Sequence, residues 1–177
     1  METRLSILTP FFRFPNRRFL LREVARMTKV SHMTARKYLL DAVSHGLLNK
    51  SPGVPYETFQ ANPESPAFRN LKLFFNLERI RSCGLVRTLE KAYEYPPVVL
   101  FGSFAKARDD EQSDVDICVV TAVSKDVDLS DCEQVIGRHI SIHRYSKKSW
   151  SAAIRKNPNL VNNILNGLTL SGFLEVA

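Results

Sequence analysis

The stretch from residue 97 to residue 120 constrains this chain more than any other. It reads Pro-Val-Val-Leu-Phe-Gly-Ser and, after ten residues, Asp114-Val-Asp116-Ile-Cys-Val-Val. Val98 to Phe101 is a short unbroken apolar run, as expected of a buried strand. Gly102-Ser103 ends it, letting the backbone approach a ligand closely and offering a hydroxyl. Phe104 to Arg108 then suits a helical turn whose unpaired N–H groups face a phosphate. From Asp114 onward polar and apolar residues alternate. A period of two puts Asp114 and Asp116 on one face of a strand and Val115, Ile117 and Val119 on the other. Neighbouring carboxylates repel unless a cation lies between them. Magnesium, which takes oxygen ligands from one or two carboxylates plus substrate phosphates, fits such a pair, and manganese is the alternative. Lys106 and Arg108 are candidates for steering phosphates, while Asp109, Asp110 and Glu111 read as a solvated turn.

The first half has a different character. Leu20, Leu21, Val24 and Ala25 recur at helical spacing, predicting a helix from about Phe19 to Thr28. A second helix starts at the N-cap Ser31 and stops before Gly46. Its apolar stripe is Ala35, Tyr38, Leu39, Ala42 and Val43, and its other face carries His32, Thr34, Arg36 and Lys37. Two helices joined around Lys29-Val30 make a helix-turn-helix, whose second helix can enter a major groove. Leu47 to Lys50, a Ser51-Pro52-Gly53 turn and Val54 to Gln60 then read as a β-hairpin placed as a wing. On DNA, Thr34, Arg36 and Lys37 would lie nearest the bases, with Arg13, Arg17, Arg18 and Lys50 on phosphates. Protein binding or dimerisation is the alternative use of such a domain.

Charge follows the same division. Residues 1–96 hold 16 Lys and Arg against 8 Asp and Glu, and residues 97–177 hold 9 against 10, so the net +7 belongs to the first half. A basic field draws in phosphates, making nucleic acid the expected partner. Three widely spaced cysteines (Cys83, Cys118, Cys132) without a C-x-x-C pair suggest reduced thiols in the cytoplasm and argue against a zinc centre. The apolar runs are too short to span a bilayer, and Pro10, Arg13, Pro15, Arg17 and Arg18 interrupt any signal-peptide pattern near the N-terminus.

Between the halves, Ser65 to about Ser82 predicts one long helix with Phe68, Phe74 and Phe75 as a core stripe. Leu85 to Tyr93 predicts another, stopped by Pro96-Pro97. Two more helices are expected after Lys147, the second opened by Asn157-Pro158 and striped by Leu160, Val161, Ile164 and Leu165. The apolar Leu168 to Val176 would pack on the sheet or on another subunit. The predicted organisation is a winged helix-turn-helix over 1–62, a helical connector over 63–95 and a catalytic-type domain over 96–177, an α+β chain.

Leu100-Phe101-Gly102-Ser103 followed by Ser113-Asp114-Val115-Asp116 resembles the signature of the DNA polymerase beta-type nucleotidyltransferase superfamily in its minimal form. The order of parts is similar to archaeal-type winged-helix nucleotidyltransferase-domain proteins. The resemblance implies a small mixed sheet with helices against one face. It implies that Gly102 and Ser103 bind a nucleoside triphosphate, ATP being the expected one, and that Asp114 and Asp116 hold the metals. It also implies a third carboxylate on a neighbouring strand. The strand available is His139 to His143, where the isoleucines should point inward and His139, Ser141 and His143 share the side of the two aspartates. No Asp or Glu occurs from Gly137 to Ala152, and Ser141 stands where the acid is expected. His139 or His143 could replace it as general base.

The expected function is therefore divalent-metal-dependent transfer of a nucleoside monophosphate to a hydroxyl on protein, RNA or a small molecule, beside a DNA-binding domain. The alternative is a DNA-binding regulator with a degenerate transferase domain that senses nucleotides or dimerises. By resemblance, a further alternative is the antitoxin of a toxin–antitoxin pair, with its toxin as partner.

Overall fold

In a computed structural model, residues 2–53 and 55–174 are described, and Val54 of the expected wing and Val176 of the expected terminal segment lie outside them. The chain divides into two compact units, Met1–Lys72 and Leu73–Ala177.

The first unit opens with α1 (Glu2–Arg13), an element with no counterpart among the helices expected from the sequence. Pro10 lies inside it, yet Ile7, Leu8, Phe11 and Phe12 are all buried, and that apolar face outweighs one missing N–H donor. Phe11 packs edge-on against Phe19 at 5.1 Å and Phe12 against Phe68 at 5.3 Å. Phe19 and Leu20 form a short strand, β1, and the helix α2 (Leu21–Met27) begins two residues later than the spacing suggested. The reason is pairing: β1 lies antiparallel to β3 (Thr58–Ala61), with Phe19 opposite Phe59.

The next helix, α3 (His32–Ser44), starts as expected, with Ser31 Oγ accepting from Thr34 N at 3.1 Å, and buries Ala35, Leu39 and Ala42. The hairpin β2–β3 joins Leu48–Ser51 to β3, with Ser51 opposite Thr58. Its connection therefore runs over residues 52–57 instead of closing tightly at Ser51-Pro52-Gly53. The sheet order is β1-β3-β2.

The helix α4 (Pro66–Ser82) contains the division between the units. Phe68 is buried, but Phe74 is 52% exposed, so it does not belong to the expected core stripe. Every fourth position from Phe68 is instead buried, at Lys72, Asn76 and Ile80.

The second unit is a four-stranded mixed sheet in the order β6-β5-β4-β7. Strands β4 (Val98–Phe101) and β5 (Val115–Val120) are antiparallel, with Leu100 opposite Ile117 and Phe101 opposite Asp116. Strand β6 (Ile140–Tyr145) runs parallel to β5, and β7 (Leu168–Ser171) antiparallel to β4. The terminal apolar segment thus adds a strand to the sheet. The two sheet faces bury separate clusters. Val98, Leu100, Val115, Ile117 and Val119 pack with Leu85 and Leu89 of α5 (Leu85–Ala92) and with Cys132 and Ile136 of α7 (Ser130–Ile136). Val99, Phe101 and Cys118 pack with Trp150 of α8 (Lys147–Lys156) and with Val161 and Ile164 of α9 (Pro158–Leu165). Helices therefore cover both faces, a correction to the single covered face implied by resemblance. The apolar residues of both parities along β4 require it.

Candidate functional site

The short helix α6 (Gly102–Ala105) leaves the end of β4 directly, which puts Gly102 beside Asp116, the neighbour of Phe101 across the β4–β5 pair. Gly102 has φ +73°. A Cβ built there would overlap Asp116 Oδ2 and lie 3.2 Å from its Cγ. Only glycine lets the aspartate close over the bend. Ser103, half-buried, follows in the same helical turn, and its hydroxyl makes no hydrogen bond among the described residues. Its carbonyl accepts from Lys106 N at 3.1 Å and Arg108 N at 2.9 Å, closing the turn.

Asp116 is half-buried and faces the side of the sheet that buries Cys118. Asp114 stands one residue before β5 and is exposed, without an ion pair among the described residues. The approach to it is ordered by Asp110, whose Oδ1 accepts from Ser113 Oγ at 2.9 Å and Gln112 N at 3.1 Å. Asp109 corrects the reading of this loop as a solvated turn. It is buried, and Asn76 donates to its Oδ1 at 2.8 Å and to the Phe104 carbonyl at 3.2 Å. One amide thus ties α4 to both the end of the glycine-serine turn and the loop leading to Asp114. Sequence reasoning missed Asn76 because a lone polar residue in a helical stripe gives no signal until its partner is known.

On β6, Ser141 lies opposite Asp116 in the parallel register. His143 Nε2 stands 3.5 Å from Asp116 Oδ1 and 3.4 Å from Ser141 Oγ, and its ring meets Phe101 edge-on at 5.0 Å. His139, grouped with them by alternation, is elsewhere. It precedes β6, is exposed, and places Nδ1 2.6 Å from Glu133 Oε1. Glu133 also accepts from Ile140 N at 2.8 Å, and these contacts, the backbone one foremost, hold its carboxyl below the usual range. Lys106 Nζ donates to Asn163 Oδ1 at 2.7 Å, and Arg108 is exposed.

Among the described residues no group of three or more His, Cys, Asp or Glu could hold a metal ion. The pair Asp114 and Asp116 still suits a divalent cation completed by phosphates. These two are hard oxygen donors, and neither is tied up by Lys or Arg among the described residues.

Burial pushes the Cys118 thiol up to about 12, which makes it inert. All three cysteines are free thiols, as the sequence suggested.

In the first unit, Arg36 and Lys37 are exposed on α3, and Thr34 sits in its first turn with Oγ1 2.8 Å from Ser31 Oγ. Arg36 lines a cleft of about 330 Å³ together with Arg22, His32 and Tyr56. The other candidate phosphate contacts are partly engaged. Arg17 pairs with Glu23 at 3.1 Å, Arg18 reaches Gln60 at 3.5 Å, and Lys50 pairs with Glu57 at 2.8 Å. Arg13 ends α1, exposed.

Residues 85–168 match the family model of the nucleotidyltransferase domain. The matched segment begins with α5, contains Gly102, Ser103, Asp114 and Asp116, and ends at the first residue of β7. The matched segment covers most of the α+β core and three of the four strands of the mixed sheet of the second unit. A search of the curated proteins finds no match. Among solved structures, the chain is similar to a proposed transcriptional regulator from Rhodococcus sp. RHA1, at 20% identity and a TM-score of 0.34. The alignment covers 73% of this chain and 47% of that one, so the chain spans about half the length of that relative. No helix among the described residues is long and apolar enough to cross a membrane.

Proposed function

We propose that the chain transfers a nucleoside monophosphate from a nucleoside triphosphate, ATP being the expected one, to a hydroxyl acceptor. The observation that carries this reading is the closure of Asp116 over Gly102 inside the segment that matches the nucleotidyltransferase domain. Gly102 and Ser103 would receive the triphosphate, where the small residue allows close backbone approach and the uncommitted hydroxyl can donate. Asp114 and Asp116 would hold Mg²⁺ (or Mn²⁺) against it. The bound cation supplies charge neutralisation and alignment, which dominate phosphoryl-type transfers. The acceptor oxygen would form its bond to the α-phosphorus as the bond to pyrophosphate breaks, with the hydroxyl proton passing to water. Asn76 and Asp110 act indirectly by fixing the loop that carries Asp114.

The first unit would bind DNA as a winged helix, through Thr34, Arg36 and Lys37 toward bases. Arg13, Arg17, Arg18 and Lys50 would lie along phosphates. The exposed basic side chains of α3 beside the Arg22–Arg36 cleft support this.

One observation favours a second reading. No acid stands on β6, and Ser141 occupies the position opposite Asp116. A regulator or antitoxin-like protein whose transferase domain only binds nucleotide or a partner would need none. Transfer of label from an α-labelled nucleoside triphosphate with Mg²⁺ or Mn²⁺ separates the two. The enzyme labels an acceptor in a cell extract, and Asp116→Asn abolishes it. Labelling that persists in Asp116→Asn excludes the proposed site, and salt-sensitive DNA binding with no transfer to any acceptor supports the regulator.

A further inference from the structure

The near-neutral balance of residues 97–177 conceals a segregation. Residues 97–136 carry nine Asp and Glu against three Lys and Arg, whereas residues 137–174 carry six Lys and Arg and no Asp or Glu. Four of those six, Lys147, Lys148, Arg155 and Lys156, belong to α8 and are exposed, with no ion pair among the described residues. By contrast, Arg144 has Asp126 at 3.6 Å, and Arg138 donates to the Asp110 carbonyl at 3.1 Å. Helix stability accounts for Arg155 and Lys156, cations at the negative end of the helix dipole. It runs against Lys147 and Lys148, which stand in the first turn, at the positive end, where an acid is favoured.

The place of α8 in the fold gives this charge a direction. Trp150, Ala153 and Ile154 pack beneath it with Phe101 and Cys118, on the sheet face that Asp116 shares. Strand β6 runs from Ser141, opposite Asp116, to Tyr145, about 13 Å at about 3.3 Å per residue. Helix α8 then returns over that face for ten residues, about 15 Å. Lys147 and Lys148 therefore lie toward the far end of the sheet, and Arg155 and Lys156 at the level of Asp116. Helix α9 continues the surface without charge. Its Asn159 and Asn162 are exposed, with amides that make no hydrogen bond among the described residues. Asn163 accepts from Lys106, the residue that follows α6.

A track of unpaired cations leading to the glycine-serine bend fits a polyanion. A membrane surface would need an exposed apolar face, and that of α8 lies against the sheet. Amides that both donate and accept suit the bases and 2′-hydroxyls of RNA. We propose that α8 and α9 carry a single RNA strand toward Gly102-Ser103, on a nucleic-acid surface separate from the helix-turn-helix. The inference rests on the transferase reading in one respect, that the strand's terminal hydroxyl is the acceptor. Its oxygen bonds to the α-phosphorus as pyrophosphate leaves and the proton passes to water.

The test follows a fluorescein-labelled single-stranded RNA of mixed sequence on the full chain, by anisotropy over a salt series. Lys147→Gln with Lys148→Gln, and Arg155→Gln with Lys156→Gln, should each lower the slope of log affinity against log salt by about 1.4, about 0.7 per lost contact. All four side chains are exposed, so circular dichroism should show both variants folded. Unchanged RNA affinity in both variants overturns the inference, as does an affinity that falls instead with Arg36→Ala and Lys37→Ala. A DNA strand of the same sequence that binds equally well overturns the assignment to RNA. If RNA ignores α8 while Mg²⁺·ATP binding still requires Asp116, this surface is wrong and the transferase reading stands. If RNA follows α8 while ATP binding is indifferent to Asp116, the surface stands and the transferase reading falls.

Discussion

Asp116 Oδ2 fills the space that a Cβ on residue 102 would need, since Gly102 directly follows Phe101, the β4 residue opposite Asp116. Glycine is required there twice, for its φ of +73° and for the aspartate above it. Gly102→Ala should therefore lower stability by about 1–3 kcal/mol and displace Asp116. Chemical denaturation checks the first effect. Loss of divalent-dependent nucleotide binding, in protein shown to be folded by circular dichroism, checks the second.

Asn76→Ala removes both donors that meet buried Asp109 and the Phe104 carbonyl. A buried carboxyl deprived of a hydrogen bond makes this costly, at about 2–3 kcal/mol of stability. Phe74→Ser, on the exposed side of the same helix, should stay within about 0.5 kcal/mol of wild type. Urea unfolding of both variants gives the comparison.

Glu133 supplies a pH test. Its carboxyl is lowered by the Ile140 N–H first and then by His139. A lowered folded value means that its contribution to stability is present above the ordinary carboxylate pKa and is lost as pH falls through the folded value. Thermal melts should show wild type above Glu133→Gln at pH 6, with the gap closing as the pH falls below the ordinary carboxylate range.

In the first unit, Arg36 and Lys37 are exposed, whereas Arg17 and Lys50 already have carboxylate partners. Replacing Arg36 and Lys37 by alanine should weaken binding and relax its sequence preference, because they lie toward bases. Arg18→Ala, which removes a phosphate contact, should reduce the slope of log affinity against log salt by roughly 0.9, and Lys50→Ala, whose side chain is shared with Glu57, by less. Gel-shift titrations over salt measure both, and an affinity indifferent to salt would remove DNA from the account.

Much of this architecture is legible in the sequence where local signals and burial agree. The apolar run Val98–Phe101, the alternation from Asp114, and Ser31 at the start of α3 each state their structure within a few residues. Two kinds of feature stay hidden. Some depend on distant pairing: Phe19 and Leu20 leave a helical pattern to join Phe59 and Thr58, and Leu168–Ser171 becomes a strand because β4 has an open side. Others depend on which polar group finds a buried partner. Asp109 looks like Asp110 and Glu111 until Asn76 is placed beside it. His139 and His143 look alike until Glu133 takes the first and Asp116 faces the second.

In the proposed function, Asp114 and Asp116 hold a divalent cation that in turn holds a triphosphate at Gly102-Ser103. Calorimetric titration of ATP into the full chain, with Mg²⁺ and with excess chelator, measures it most directly. ATP should bind with Mg²⁺, and that binding should disappear with chelator and in Asp116→Asn. Equal ATP affinity in wild type and in folded Asp116→Asn, or binding indifferent to the chelator, would contradict it.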